Sequence, residues 1–206
     1  MVRPKQDRAV RTKETVLRAA AEVFDEQGFG ASIVKIAERA GTTTGAIYFH
    51  FQSKEGLLQA VINAQPETIR PRLESSGVQQ LVDITLVWCW QIQVDPLLRA
   101  GVRLAVEQGA FGLQDDTSFR DWQRIMEECL LQARDAGELL EHAVPEEIAE
   151  IVVSTCTGGQ IHSHLASGRA DLPQRVVRMW RYLLPSIAKP DVVQRVDLNP
   201  QRGQVS

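Results

Sequence analysis

Apolar residues return every three or four positions along almost the whole of this 206-residue chain, and nowhere do they alternate in the two-residue rhythm of a strand. That periodicity confines the chain to an all-α fold. Val16, Leu17, Ala20, Val23 and Phe24 form a first stripe, and Gly28 offers a stop. Ser32 can cap a short helix carrying Ile33, Ile36, Ala37 and Ala40, which Gly41 ends. A third helix is expected from near Thr43 to about Phe49. Ser53 then caps a fourth, with Leu57, Leu58, Val61 and Ile62 as its stripe; Pro66 and Pro71 interrupt its continuation.

Longer helices follow. LVDITLVWCWQIQV leads into Asp95-Pro96, a helix cap with proline in the first turn, and then LLRAGVRLAVEQ and a loop at FGLQDD. Phe119 to Ala136 forms the next segment, closed by Gly137, and Pro145-Glu146-Glu147 opens another. A last substantial helix starts at Asp171 or Leu172, with Val176, Trp180, Leu183 and Ile187 along one face. The polar tail, residues 191–206, is expected to be disordered. Ser154, Gly158 and Gly159, and separately the Trp180 stripe, suit a helical dimer interface and equally a monomer core.

Residues 37–51, AERAGTTTGAIYFHF, crowd three threonines and four rings into one short segment. A buried core has no use for a hydroxyl cluster, nor a solvated loop for a ring cluster. A short helix, a turn at Ala40-Gly41-Thr42 and a second short helix make a helix-turn-helix, whose second helix enters the DNA major groove. Ala37 is small where the helices cross, Gly41 tolerates the left-handed turn, and Ile47 plugs the core. Thr43, Thr44 and Gly45 then face outward towards phosphates and base edges, Tyr48 and His50 add flat donors, and Phe49 and Phe51 are expected to face inward. With the cations Arg8, Arg11, Lys35 and Lys54, these form the expected DNA-binding set. A plain helical hairpin with a Thr-rich turn is the alternative.

The charge distribution agrees. Residues 1–60 hold nine Lys/Arg against seven Asp/Glu, although the whole chain has a net charge of −3. No apolar run approaches the roughly 18–20 residues that cross a bilayer, and the N-terminus lacks a secretory h-region. Cys89, Cys129 and Cys156, without a CxxC, suit reduced thiols, so a cytoplasmic protein is expected.

Residues 8–68, through RAAAEVFDEQGFGASIVKIAERAGTTTGAIYFHFQSKEGLL, resemble the DNA-binding domain of TetR-family transcriptional repressors. LRAGVRLA, FRDWQRI and TGGQIHSHLASGRADLPQRV are similar to the γ-butyrolactone receptor branch, regulators of antibiotic production in filamentous bacteria. The resemblance implies an all-helical homodimer, with a helix-turn-helix domain at residues 8–68 and a ligand-binding and dimerisation domain at residues 69–190. It implies a partly palindromic double-stranded operator and release by a butyrolactone, butenolide or furan. A pseudo-receptor of the same fold, answering to an antibiotic, an intermediate or nothing, is the alternative. Thr44 stands where that branch usually carries lysine, which leaves operator sequence and affinity unassigned while retaining DNA binding.

The same branch places a ligand-stacking tryptophan at Trp122. Its polar neighbours Arg120, Asp121 and Gln123 fit an indole that faces a cavity, with ordinary core packing as the alternative. Gln65 and Thr157 align with positions that hydrogen-bond a lactone or hydroxyl, and Trp88, Cys89, Leu104 and Val106 are candidates for the wall. No cofactor or metal is expected: His162 and His164 lie two apart and diverge by about 200° on a helix. There is no nucleophile elbow or phosphate-cradling glycine loop, so an enzyme is not expected; a helical hydrolase using Ser163 and His162 is the weakest reading.

Overall fold

A computed structural model describes residues 4–65 and 74–204; Pro66 and Pro71, where the interruptions were expected, lie outside it, as does the side chain of Arg8. The described residues form ten α-helices: α1 (Pro4–Gln27), α2 (Ile33–Ala40), α3 (Thr44–Phe51), α4 (Lys54–Asn63), α5 (Gly77–Val94), α6 (Pro96–Glu107), α7 (Thr117–Asp135), α8 (Pro145–Ser167), α9 (Leu172–Ile187) and α10 (Pro190–Arg195). Three short 3₁₀ turns accompany them, at Gly28–Gly30, Gln108–Phe111 and Pro200–Gly203. Apart from one isolated bridge between Leu139 and Ala188, the described residues hold no extended pairing.

The expected caps Ser32, Ser53 and Asp95 are formed, and Thr43 caps α3 as well: they accept from the backbone N–H of Val34, Gly56, Leu97 and Ala46 respectively, each satisfying an orphan donor of its helix. Gly41 ends α2 in the left-handed conformation, at φ +63°.

The chain divides into two compact units, residues Met1–Thr68 with Asp95–Ser118, and Ile69–Val94 with Phe119–Ser206. In the first, α1 packs against α2, α4 and α6. Val16, Phe24, Ile36, Ile47, Leu57, Leu98 and Leu104 are fully buried there. Residues 95–118, which the sequence assigns to the second domain, therefore pack with the first. Besides apolar burial, polar clasps hold them: Arg99 Nε donates to Asp25 Oδ2 at 2.7 Å and Arg103 Nη1 to the Asp25 carbonyl at 2.9 Å. Glu107 in turn accepts from the Phe29 N–H at 3.4 Å.

In the second unit α9 lies against α5 and α8. Trp180 is fully buried and donates its indole N–H to Thr85 Oγ1 at 2.8 Å. The Trp180 stripe is thus core rather than a free face, because α9 turns it towards α5.

Residues 191–204 of the tail are ordered, contrary to the expectation from their polarity. α10 and the turn Pro200–Gly203 follow α9, and Arg202 reaches Asp83 on α5 with Nε–Oδ1 and Nη2–Oδ2 distances of 2.8 Å each. Trp90 donates its indole N–H to the Pro200 carbonyl at 2.7 Å. The polar residues of this segment are engaged in particular internal bonds, which composition cannot distinguish from solvation.

Candidate functional site

α3 buries one side and exposes the other. Ile47 and Phe51, four residues apart, are buried, while Gly45, Tyr48 and Phe49 face outward. Phe49 is 81% exposed, so the expectation that it faces inward is corrected: two positions from both Ile47 and Phe51, it sits about 200° around the helix from them. Thr43 is exposed and its Oγ1 accepts from the Ala46 N–H at 3.2 Å, leaving its hydroxyl proton free to donate outward. Thr44 and His50 are half-buried, and the His50 ring meets the Phe49 ring edge-on at 5.2 Å.

The expected cations lie on α1, α2 and α4. Arg11 is exposed, on a segment that is helical from Pro4 rather than a loose arm. Lys35 is exposed on α2, with Nζ 3.3 Å from Gln27 Oε1. Lys54 stands over the Phe29 ring at 5.1 Å. Lys13, which sequence reasoning counted only among the basic residues of the N-terminus, lies 5.9 Å from the Phe51 ring centroid at the end of α3. Arg39 is held by Glu22 at 2.7 Å and Glu26 at 3.2 Å, which ties α2 to α1.

The exit from α3 is tight. Gln52 has φ +66° and ψ −43°, and the Ser53 N–H donates to the Phe51 carbonyl at 2.7 Å, a three-residue γ-turn of the strained hand. Gly56 permits it: a Cβ there would stand 2.1 Å from the Phe51 carbonyl oxygen. Sequence reasoning passed over both residues, although Gly56 in the first turn of α4, where alanine is the better helix former, was a signal.

The residues expected around a ligand fall in both units. In the first, Leu104 is fully buried, and Gln65 is buried with its amide donating to the Ile62 carbonyl at 3.0 Å. In the second, Trp88 and Trp122 are buried, as is Cys89, while Thr157 is half-buried and donates its hydroxyl to the Val153 carbonyl at 2.8 Å. Val106 is 44% exposed, a surface residue of α6 rather than a wall. A surface groove of about 430 Å³ beside Arg18, Glu22 and Asp95 contains none of the expected ligand residues.

All three cysteines are free and buried. Burial, reinforced by Glu128, pushes the Cys129 thiol up to about 11, and burial pushes Cys156 up to about 12. Ser163 donates to the Asp171 carboxylate, and the His162 ring contacts Arg175, so His162 is not paired with the Ser163 hydroxyl. The hydrolase pairing is not assembled.

A capped helix-turn-helix with an outward hydroxyl, glycine and aromatic face, followed by further helices, describes a DNA-binding regulator. Residues 16–61 match the model of the bacterial regulatory proteins of the tetR family, and residues 75–189 that of the tetracyclin repressor-like C-terminal domain. The chain belongs to the TetR family of transcriptional regulators. It is 40% identical over 204 residues to the A-factor receptor protein of Streptomyces griseus, covering 96% of this chain and 73% of that protein. Among solved structures it is similar to full-length TylP, a tetR regulator from Streptomyces fradiae, at 40% identity and a TM-score of 0.86 over 95% of each chain. It is also similar to a gamma-butyrolactone receptor described as ArpA-like, at 28% identity and a TM-score of 0.72 over 96% of this chain and 98% of that one.

Proposed function

We propose that this protein is a homodimeric repressor that leaves its operator when a small signalling molecule of γ-butyrolactone or related type binds. The observation that carries the DNA half is the outward face of α3, where Thr43, Gly45, Tyr48 and Phe49 project while Ile47 and Phe51 hold the helix to its unit. Thr43, Thr44, Gly45, Tyr48 and His50 meet base edges and sugar-phosphate, and Arg8, Arg11, Lys35 and Lys54 meet phosphates. In a dyad-related pair, two such helices read successive major grooves about 34 Å apart.

Dimerisation is supported by the outer face of α8 and α9. On α8 Ile151 (50% exposed), Ile161 (38%) and Leu165 (81%) share a face with the exposed Ser154 and Gly158, and α9 exposes Tyr182 (83%). Such a solvent-facing apolar surface is covered by a second copy. The ligand class rests on likeness to the A-factor receptor protein and the gamma-butyrolactone receptor, with Trp122, Trp88, Gln65, Leu104 and Thr157 as the binding residues. A few polar groups among buried aromatics orient such a molecule.

Release requires the ligand to discriminate between two states. Moving an operator-competent population from about 99% to about 1% takes a preference of about 10⁴-fold. Within the first unit α6, which follows α5 in the chain, is clasped to α1 by Arg99 and Arg103. The decisive experiment measures operator binding by the purified protein during titration with butyrolactones, butenolides and furans. Binding without release by any of them would refute the ligand half alone.

A further inference from the structure

We propose that Phe49 reads sequence, its ring making apolar contact with the C5-methyl group of a thymine in the major groove, and that Gly45 is glycine to let that contact form. The inference rests on α3 being the DNA-reading helix. Phe49, at 81% exposure, is the most exposed ring of its helix, ahead of Tyr48 at 46%, and contributes little burial to its own unit. Phe49 stands four residues after Gly45, so the two share one face of α3, one turn apart. The neighbouring His50 ring, edge-on at 5.2 Å, narrows the directions it can take.

Gly45 supplies the second, independent observation. Glycine within a helix is less favourable than alanine by roughly 0.5–1 kcal/mol. Gly56 has an internal reason for its missing side chain, since a Cβ would strike the Phe51 carbonyl oxygen at 2.1 Å. Gly45 has none: a Cβ there would meet only Thr43 Oγ1, at an ordinary 3.8 Å, and its φ is not positive. What excludes a side chain at Gly45 lies outside the protein. The bare backbone at Gly45 and the exposed ring one turn later give this face two apolar positions among its hydroxyls. In the major groove, the apolar partner that distinguishes one base pair from the others is the thymine methyl.

The test uses the full-length protein and a duplex that it selects from a random-sequence pool. Each thymine of that duplex is replaced in turn by deoxyuridine, which removes only the methyl group. At one thymine per half-site the wild type is expected to lose about fourfold in affinity, the value of burying one methyl. Phe49→Ala, a surface change expected to leave the thermal midpoint unaltered, should bind the thymine and uracil duplexes equally. Gly45→Ala should hold or raise the thermal midpoint yet weaken binding at least about tenfold. The inference alone is overturned if no uracil substitution affects the wild type, if Phe49→Ala keeps the discrimination, or if Gly45→Ala binds as the wild type does. Failure to select any duplex would overturn the operator-binding reading, and this inference with it.

Discussion

Arg202→Ala should destabilise the second unit far more than truncation of a tail residue ordinarily would. The Asp83 side chain has no exposure, whereas that of Arg202 retains 28%. The pair is bidentate at 2.8 Å through both carboxylate oxygens. Gln79 Nε2 adds one neutral donor to Asp83 Oδ1 at 2.9 Å, and Asp197 holds the far side of the guanidinium at 3.2 Å. Asp83 foremost, with help from Asp197, holds the Arg202 guanidinium above even its usual high range. Removing the arginine leaves an ionised carboxylate inside α5 with the Gln79 amide as its remaining partner.

Breaking a buried pair from one side costs roughly 3–5 kcal/mol. Because Arg202 is partly exposed, water can enter where it stood, and the lower end, about 3 kcal/mol, is expected. Asp83→Asn in the Arg202→Ala background removes the stranded charge and should recover about 2 kcal/mol. Urea unfolding followed by tryptophan fluorescence is suited to this, since all four tryptophans, Trp88, Trp90, Trp122 and Trp180, belong to the second unit. The reasoning fails if Arg202→Ala costs less than about 1 kcal/mol, or if the double variant is no more stable than Arg202→Ala alone. Either result would mean that the tail lies on α5 without holding its buried charge.

Three further outcomes are expected. Gln52→Gly should stabilise the first unit by about 1 kcal/mol in thermal unfolding, by relieving a positive φ in the γ-turn, whereas Gly56→Ala should destabilise it by more than that through the clash with the Phe51 carbonyl. Trp122→Phe should leave operator affinity near that of the wild type and reduce the response to inducer by about tenfold; an equal loss of both would assign the indole to packing alone. The thiols should react slowly with a disulfide reagent at neutral pH and rapidly once unfolded, with Cys129 the first to become reactive as pH rises towards 11. The sign follows from the raised values. The folded state holds these protons more tightly than the unfolded chain, so their stabilisation is complete below about pH 9 and is lost as pH climbs through the folded values.

What could be read from residues alone was what depends on neighbours in sequence. Ser32, Thr43, Ser53 and Asp95 each stand just before an apolar-periodic run, and each became a cap because the donor it satisfies is only two or three residues away. Phe49 was misjudged by weighing residue type over helical phase; the 200° that separates His162 from His164 also separates Phe49 from Ile47. The packing of residues 95–118 and the order of the tail were not legible for another reason. Their partners, Asp25 for Arg99 and Asp83 for Arg202, lie 74 and 119 positions away, and no local pattern names them. A charge inside the apolar run LVDITLVW does announce that a cation must come to Asp83, yet the chain holds 23 Lys and Arg from which to choose. The same asymmetry governs the two halves of the function. One short helix, a turn and a capped second helix specify a helix-turn-helix, so residues 37–51 were enough to point to one. A ligand site draws its residues from distant helices, and only likeness to relatives could single out Gln65, Trp122 and Thr157. The tests divide accordingly: variants in α3 probe physics already visible in the chain, whereas variants at Trp122 probe whether a relative's ligand is also this protein's.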